Sequence, residues 1–462
     1  MRVKANMNYE KMHEMRWGHF CTNLIKSCVF IAGLLLICKV LNYMYVSPDY
    51  DYRTVMHNMY NTEGIDSLYL GSSHVYSGIN PTILDELNGE TNFDLATAGQ
   101  RMNGSYYLLK EAAKKNELSH VYLEVFYMRT VQDNFNGDID PIDEKLYFNE
   151  QVADNMKISA NKLAYIVSSA GIEAYGEFFF PFSRYQRYYL DFGYIKDNVM
   201  AKNGDMYLQY KCYGDYADGN GKYELLDNNF YSSTREFLDE TRFAEQFRVL
   251  DEEPIGEKSE KYLMRIIQYC KQHDIELTLY IPPVDDLYLI CTENYDNYLK
   301  QIKRITDENG LEFYDFNLAK EQYLSIPREG FSDYAHTNDL GASIFTSFFW
   351  KVMSGNPEEV DQYFYSNYEE KLASLQPAIY GLYYWDTYDE EGEKRNVKIA
   401  SNRKDGVEYQ IIMTPDNEES YMLQDFSENN IFAITPQDHG ICTVHMRNIN
   451  TSEIMQTQTI RY

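Results

Sequence analysis

Apolar and polar positions follow two periods along much of the chain. Short runs of strand character recur at 65–71 (IDSLYLG), 91–99 (TNFDLATAG), 119–127 (SHVYLEVFY), 275–283 (IELTLYIPP) and 311–317 (LEFYDFN). Helical stretches lie between them. PTILDELNG (81–89) is short and starts on proline. QRMNGSYYLLKEAAKKNE (100–117) sets Met102, Tyr106, Leu109 and Ala113 on one face. EKSEKYLMRIIQYCKQHD (257–274) does the same with Tyr262, Ile266, Ile267 and Cys270. NYDNYLKQIKRITDENG (294–310) closes on Gly310. TNDLGASIFTSFFWKVM (337–353) has Asn338 placed as N-cap and Leu340, Ile344, Phe345 and Phe348 as its buried stripe. Strands alternating with helices predict an α/β unit over 52–355, a parallel sheet with helices on both faces.

Two regions break this rhythm. Residues 128–255 are long, polar and aromatic, including AYGEFFFPFSRYQRYYLDFGY, and read as a large insertion with partial helices and no sheet of its own. From 377 to 462, seven short β-type segments follow one another at close spacing, the pattern of a small antiparallel β-sandwich. Tyr380, Tyr383, Tyr384 and Trp385 in the first of them are either a sugar platform or part of the sandwich core.

The N-terminus adds a different element. Residues 1–19 carry Arg2, Lys4, Lys11 and Arg16 against Glu10 and Glu14. The apolar stretch FCTNLIKSCVFIAGLLLICKVLNYMYV (20–46) follows. Its charge-free core, Ser27–Cys38, is short, but Lys26 and Lys39 have stems long enough to snorkel. The whole segment spans a bilayer at about 1.5 Å per residue. NYMYVSPDY offers no small-residue cleavage site, so an uncleaved signal-anchor is expected rather than a cleaved signal peptide. The positive flank places residues 1–19 in the cytoplasm and the bulk of the chain outside the cell membrane.

Composition narrows the partners. The 462 residues hold 71 acidic and 42 basic side chains, a net charge of −29, which argues against a nucleic-acid ligand. Forty-four tyrosines lift the aromatic share to 15%, as suits wet, sugar-bearing surfaces or ordinary packing. The seven cysteines show neither a disulfide framework nor metal-ligand spacing, so no metal and no cofactor is expected.

Candidate chemistry sits at the strand ends, where doubly wound sheets collect reactive groups. Gly71-Ser72-Ser73-His74 follows the first strand, Thr97-Ala98-Gly99-Gln100 the second, and FSDYAHTNDLGA (331–342) the fifth. Asp333 and His336, three apart in one loop, are able to present a base and its orienting carboxylate together. With strand order 2-1-3-4-5, the serines upstream lie beside that loop. Gly99 lets a backbone N–H approach a developing oxyanion closely. Each piece alone is ordinary turn chemistry; their placement at three ends of one sheet is the specific signal.

Together these residues resemble the SGNH/GDSL hydrolase superfamily. LGSSHVYSGINP, DLATAGQ and DYAHTNDLGA are most similar to its membrane-anchored, extracytoplasmic acyl-transfer branch. That branch includes the teichoic-acid D-alanylation protein of the Dlt system and alginate O-acetylation proteins. FPFSRYQRY (180–188) is similar to a segment in their insertions. The resemblance covers about 20–355 and implies a flavodoxin-like three-layer sandwich. It implies Ser73 as nucleophile, His336 as base and Asp333 as its carboxylate. The N–H groups of Ser73 and Gly99 would form the oxyanion hole, with Ser72, His74, Gln100 and Asn338 as candidate site walls. One departure stands out: LEVFYMRT, ending the third strand, lacks the superfamily's oxyanion asparagine and offers only Arg129 in its place. The implied function is serine-dependent acyl transfer (O-acetylation or similar) or ester hydrolysis on a cell-envelope polysaccharide, with a multi-spanning membrane O-acyltransferase as partner. The alternative is a non-catalytic envelope scaffold that binds glycan or a partner.

Overall fold

Five short strands pair in parallel in the order β2-β1-β3-β8-β9, all but the edge strand β9 largely buried. They are β1 (Ser67–Leu70), β2 (Asn92–Asp94), β3 (His120–Glu124), β8 (Glu276–Ile281) and β9 (Glu312–Asp315). The computed structural model describes residues 2–127, 130, 144–237, 242–245, 255–292, 294–389, 392–403, 405–436 and 438–462. Register is set by pairs such as Ser67 with Asn92 and with His120, and His120 with Glu276. Strand alternation sends Leu68, Leu70, Val121 and Leu123 to one face and Tyr69, Tyr122 and Tyr280 to the other. The first set packs beneath α5 (Met102–Ala112) and helix Glu257–Gln272; the second meets Phe316, Phe345 and Phe349. Burial on both faces is why these strands read as nearly continuous apolar runs. The chain runs from β1 out to β2 and then returns past β1 to β3. The reversal therefore opens between the C-terminal ends of β1 and β3, where such sheets bind ligands.

Helix Asp339–Met353 starts where expected, with the Asn338 carboxamide oxygen accepting from the N–H groups of Leu340 and Gly341 at 3.1 and 3.3 Å. Its buried stripe is shifted, however. Leu340 is 48% exposed, while Gly341, Ala342, Phe345, Phe348, Phe349 and Val352 face the core. The helix backbone approaches Gly330 so closely at Gly341 that a Cβ there would lie 2.0 Å from the Gly330 carbonyl oxygen. That contact fixes the rotation of the first turn and turns Leu340 outward.

The insertion does contain a sheet, contrary to expectation. After helices Glu144–Asn155, Ala160–Ser169, Tyr175–Phe179 and Phe192–Lys202 come the antiparallel strands β4 (Tyr213–Asp215), β5 (Lys222–Leu225) and β6 (Tyr231–Ser233). These strands are short and half-exposed, so they carry no apolar alternation to announce them. Strand β7 (Phe243–Glu245) leaves the insertion and pairs in parallel with the C-terminal β10, Phe243 opposite Leu382.

The seven C-terminal segments are strands β10 (Ile379–Asp389), β11 (Gly392–Ser401), β12 (Val407–Pro415), β13 (Tyr421–Ser427), β14 (Ile431–Ile434), β15 (Gly440–Asn448) and β16 (Ile454–Arg461). They form sheets β14-β11-β10-β7 and β13-β12-β15-β16 around Val397, Ile411, Val444 and Met446. Tyr383 is buried against Ala244 and Leu287, and Tyr384 stacks on Phe243 at 4.7 Å between centroids. Both belong to the packing that joins the sandwich to the α/β unit rather than to an open platform.

Helix α1 (Arg2–Tyr45) leads into α2 (Tyr50–Asn61) through four residues. Its Thr22–Tyr45 portion is long and apolar enough to cross a membrane, and its apolar side chains are exposed. Cys28, Cys38, Cys212, Cys270, Cys291 and Cys442 are free thiols.

Besides capping its helix, the buried Asn338 donates to the carbonyls of Arg235, Glu329 and Phe331 at 2.8, 2.6 and 3.3 Å. Asn338→Ala removes the cap and leaves buried carbonyls unpaired. It is expected to destabilise the chain by about 2–4 kcal/mol in chemical denaturation followed by tryptophan fluorescence.

Candidate active site

Strand β1 ends at Leu70, and Ser73 opens the short helix α3 (Ser73–Gly78). The intervening turn is tight. A Cβ on Gly71 would lie 2.5 Å from both Glu124 Cβ and Val75 Cγ2, so only glycine lets β1 turn this close to the end of β3. From the far side of the sequence, the loop 331–337 is pinned by a bridge between Phe331 and Thr337 and by Ser332 N–H donating to the His336 carbonyl at 2.8 Å. Thr337 Oγ1 donates to the Ser77 carbonyl at 2.8 Å, and Thr346 Oγ1 donates to the Gly78 carbonyl at 3.3 Å. Two hydroxyls thus lock α3 to a loop and helix about 260 residues away in the chain.

In that arrangement Ser73 Oγ lies 2.7 Å from His336 Nε2. His336 Nδ1 lies 2.9 Å from each Asp333 carboxylate oxygen. A carboxylate only accepts, so Nδ1 carries the proton and Nε2 is left to accept from the Ser73 hydroxyl. Asp333 Oδ1 also accepts from the N–H groups of Ala335 and His336 at 2.7 and 2.9 Å. Burial pushes the Asp333 carboxyl up, but the facing His336 and these hydrogen bonds outweigh it and hold it at about 2.

Gly99 sits in the turn after β2 with φ of +61°, and a Cβ there would lie 2.5 Å from the Phe148 ring. Conformation and crowding both demand glycine. The Ala98 carbonyl accepts from Tyr52 Oη at 3.1 Å. Among the described residues neither the Ser73 nor the Gly99 N–H has a hydrogen-bond partner. Beside this turn lies a cavity of about 30 Å³ lined in part by Tyr52, Tyr76, Ala96, Thr97, Ala98 and Tyr231.

The remaining sequence candidates hold the site rather than line it. Gln100 is buried, accepting from Thr97 Oγ1 at 2.9 Å and donating to Ser105 Oγ at 3.0 Å. Asn338 is engaged with backbone throughout, as described above. Ser72 and His74 turn inward to a residue that the sequence reading missed, Glu124 at the end of β3. Glu124 accepts from the Ser72 N–H, from Ser72 Oγ at 3.0 Å and from His74 Nδ1 at 2.9 Å. Burial pushes its carboxyl up, and the bonds from His74 and Ser72 more than reverse this, leaving it below its ordinary value. The His74 ring in turn stacks on His336, centroids 5.0 Å apart and planes 18° apart. A single charged side chain closing an otherwise apolar buried strand was the available signal. Asp94, ending β2, is the opposite case. It is fully buried, with Oδ2 unpartnered, and burial drives its carboxyl well above the ordinary value. Arg129 lies outside the described residues. Among the described residues no group of three or more histidine, cysteine or acidic side chains is arranged to hold a metal ion.

No family model matches the chain, and no curated protein matches it.

Glu124→Gln keeps the side-chain shape but removes the buried charge facing His74 and Ser72. It is expected to destabilise the fold by about 2–4 kcal/mol near neutral pH. Because the folded Glu124 titrates below its ordinary 4.5, its contribution is complete above that value and disappears as pH falls through the folded pKa. Denaturation midpoints of parent and variant are therefore expected to converge as pH falls below 4.5 and through the folded pKa, and a gap that does not narrow on acidification would refute the assignment.

Proposed function

We propose that this chain is an extracytoplasmic serine acyl-transfer enzyme that forms an acyl-enzyme on Ser73. The observation carrying this reading is the 2.7 Å contact from Ser73 Oγ to His336 Nε2, backed by Asp333 on Nδ1. Nucleophile, base and orienter stand in the order that acyl transfer requires. His336 Nε2 takes the Ser73 proton as Oγ attacks the carbonyl carbon of an ester or thioester. The oxyanion is met by the Ser73 and Gly99 N–H groups. Collapse breaks the bond to the leaving group, which receives the proton from His336. An acceptor hydroxyl then repeats the sequence in reverse: His336 removes its proton, its oxygen attacks the acyl carbon, and Ser73 Oγ regains a proton. A sugar hydroxyl as acceptor gives transfer and water gives hydrolysis.

The absent asparagine leaves two backbone donors as the proposed oxyanion hole. Glu124, an acceptor only, is no substitute donor. Its part is to hold the Ser72–Ser73 turn and the ring behind His336. A cell-envelope glycan as acceptor, and a multi-spanning membrane acyltransferase as donor partner, follow from the resemblance of the three strand-end motifs. The anchor reading follows from the exposed apolar α1, with its basic flank at residues 1–19 in the cytoplasm.

A fluorophosphonate probe on the full-length chain tests the triad. The parent is expected to label. Ser73→Ala is expected to lose all labelling, and Asp333→Asn to slow turnover of an activated acetate ester by roughly 10³–10⁴-fold. An unlabelled parent, or equal labelling of Ser73→Ala, would leave the scaffold reading in its place.

A further inference from the structure

The aromatic stretch of the insertion is bonded to the end of α1. Asn42 Oδ1 accepts from the Phe182 N–H at 3.0 Å, and Tyr45 Oη donates to the Tyr189 carbonyl at 3.1 Å. Tyr194 Oη donates to the Tyr45 carbonyl at 2.8 Å. Asn198 Nδ2 donates to the Met44 and Val46 carbonyls, both at 2.9 Å. Lys202, buried, donates to the carbonyls of Asn42 and Tyr43 at 3.2 and 2.8 Å and to that of Val46. These bonds take up the carbonyls that the last turn of a helix leaves unpaired. The segment thus forms a collar around residues 42–46.

Yet the collar leaves large apolar side chains in the open. Leu190 is 88% exposed, Phe192 80%, Met200 61%, and Phe179 and Phe180 about half. Single exposed apolar residues need no explanation, but a group of them bordering one helix end does. Val40, an exposed apolar residue of the span, lies within six residues of every collar contact, or about 9 Å along the helix. Amphipathic elements at bilayer surfaces bury their apolar faces by about 5–10 Å. The neighbouring Tyr185, Tyr188 and Tyr194, with Arg187 over the Tyr188 ring, have the aromatic and cationic make-up of a headgroup layer.

We propose that the collar lies in the outer interface of the same bilayer that α1 crosses, with Phe179, Phe180, Leu190, Phe192 and Met200 inserted among phospholipid headgroups and the first acyl carbons. This rests on the anchor reading above. It gives the head a second attachment, and that attachment reaches the active site. Arg184 of the collar pairs with Glu150 at 2.8 Å and with Asp154, on the helix that presses Phe148 against Gly99. Tyr52, on α2 just after the span, holds the Ala98 carbonyl. The Gly99 turn is therefore held at a fixed height over the lipid surface, where an acyl donor in the membrane or a lipid-linked glycan would be presented.

The test uses the purified full-length chain in liposomes of zwitterionic phosphatidylcholine brominated on the acyl chains. Leu190→Trp and Phe192→Trp are compared with Tyr421→Trp on β13, each corrected for the parent's emission. The collar tryptophans are expected to shift to the blue and lose on the order of half their added emission, as insertion to that depth requires. Tyr421→Trp is expected to change little. Retention of the chain after alkaline carbonate washing, with collar and control quenched alike, overturns the collar and leaves the anchor standing. Release by carbonate overturns both. Protection of the collar from aqueous iodide in native membranes but not in these liposomes also overturns it, in favour of a protein partner.

Discussion

The ionised carboxylate of Glu124 is the constraint on which the arrangement of the site depends. It lies buried at the point where the parallel sheet reverses direction, an expensive place for a charge unless every lone pair is met. It is met by the Ser72 N–H, the Ser72 hydroxyl and His74. These are the residues on either side of Ser73, so satisfying the charge also fixes the serine. Gly71 is the necessary complement, because any side chain there would collide with Glu124 itself. The ring that Glu124 holds stacks behind His336. One buried charge thereby orders the Ser72–Ser73 turn directly and backs the His336 ring, while Asp333 holds that ring at Nδ1.

Two carboxyl groups at the ends of β2 and β3, the strands that flank β1, are driven in opposite directions by their surroundings. Asp94 has one hydrogen-bonded oxygen and one bare one, and burial drives its carboxyl well up. Glu124 has donors on both oxygens and stays charged. Asp333, held at about 2 in its loop, sets its carboxylate against His336 Nδ1.

The same economy of contacts joins the site to the end of α1. Only four residues separate the end of α1 from α2, and α2 reaches the Gly99 turn through Tyr52. The collar reaches the same turn from the other side through Arg184, Glu150 and Phe148. At the opposite end of the unit, β7 leaves the insertion to join the C-terminal sheet, with Tyr383 and Leu287 packed between. The insertion, which looks like an interruption of the fold, is what ties α1, the Gly99 turn and the sandwich together.

Much of this was written in local sequence. Strands β1, β3 and β8 of the central sheet are largely apolar runs, because both their faces are buried, and the helices carry their own caps in Asn338 and Gly310. Among the C-terminal strands β12 and β15 alternate visibly, because one face of each is wet. Ser73, Gly99, Asp333 and His336 were legible because turns at strand ends converge once the strand order is assumed. Tertiary structure alone decided the rest. Leu340 faces water because a backbone contact at Gly330 rotates its helix, and no side-chain period records that. Strands β4 to β6 are too short and too exposed to leave a pattern. Glu124 reads as one acid in a strand until β1, β3 and the Ser72 turn are brought together. Its role comes from partners 50 residues away, and a buried charge has meaning only in the company that folding gives it.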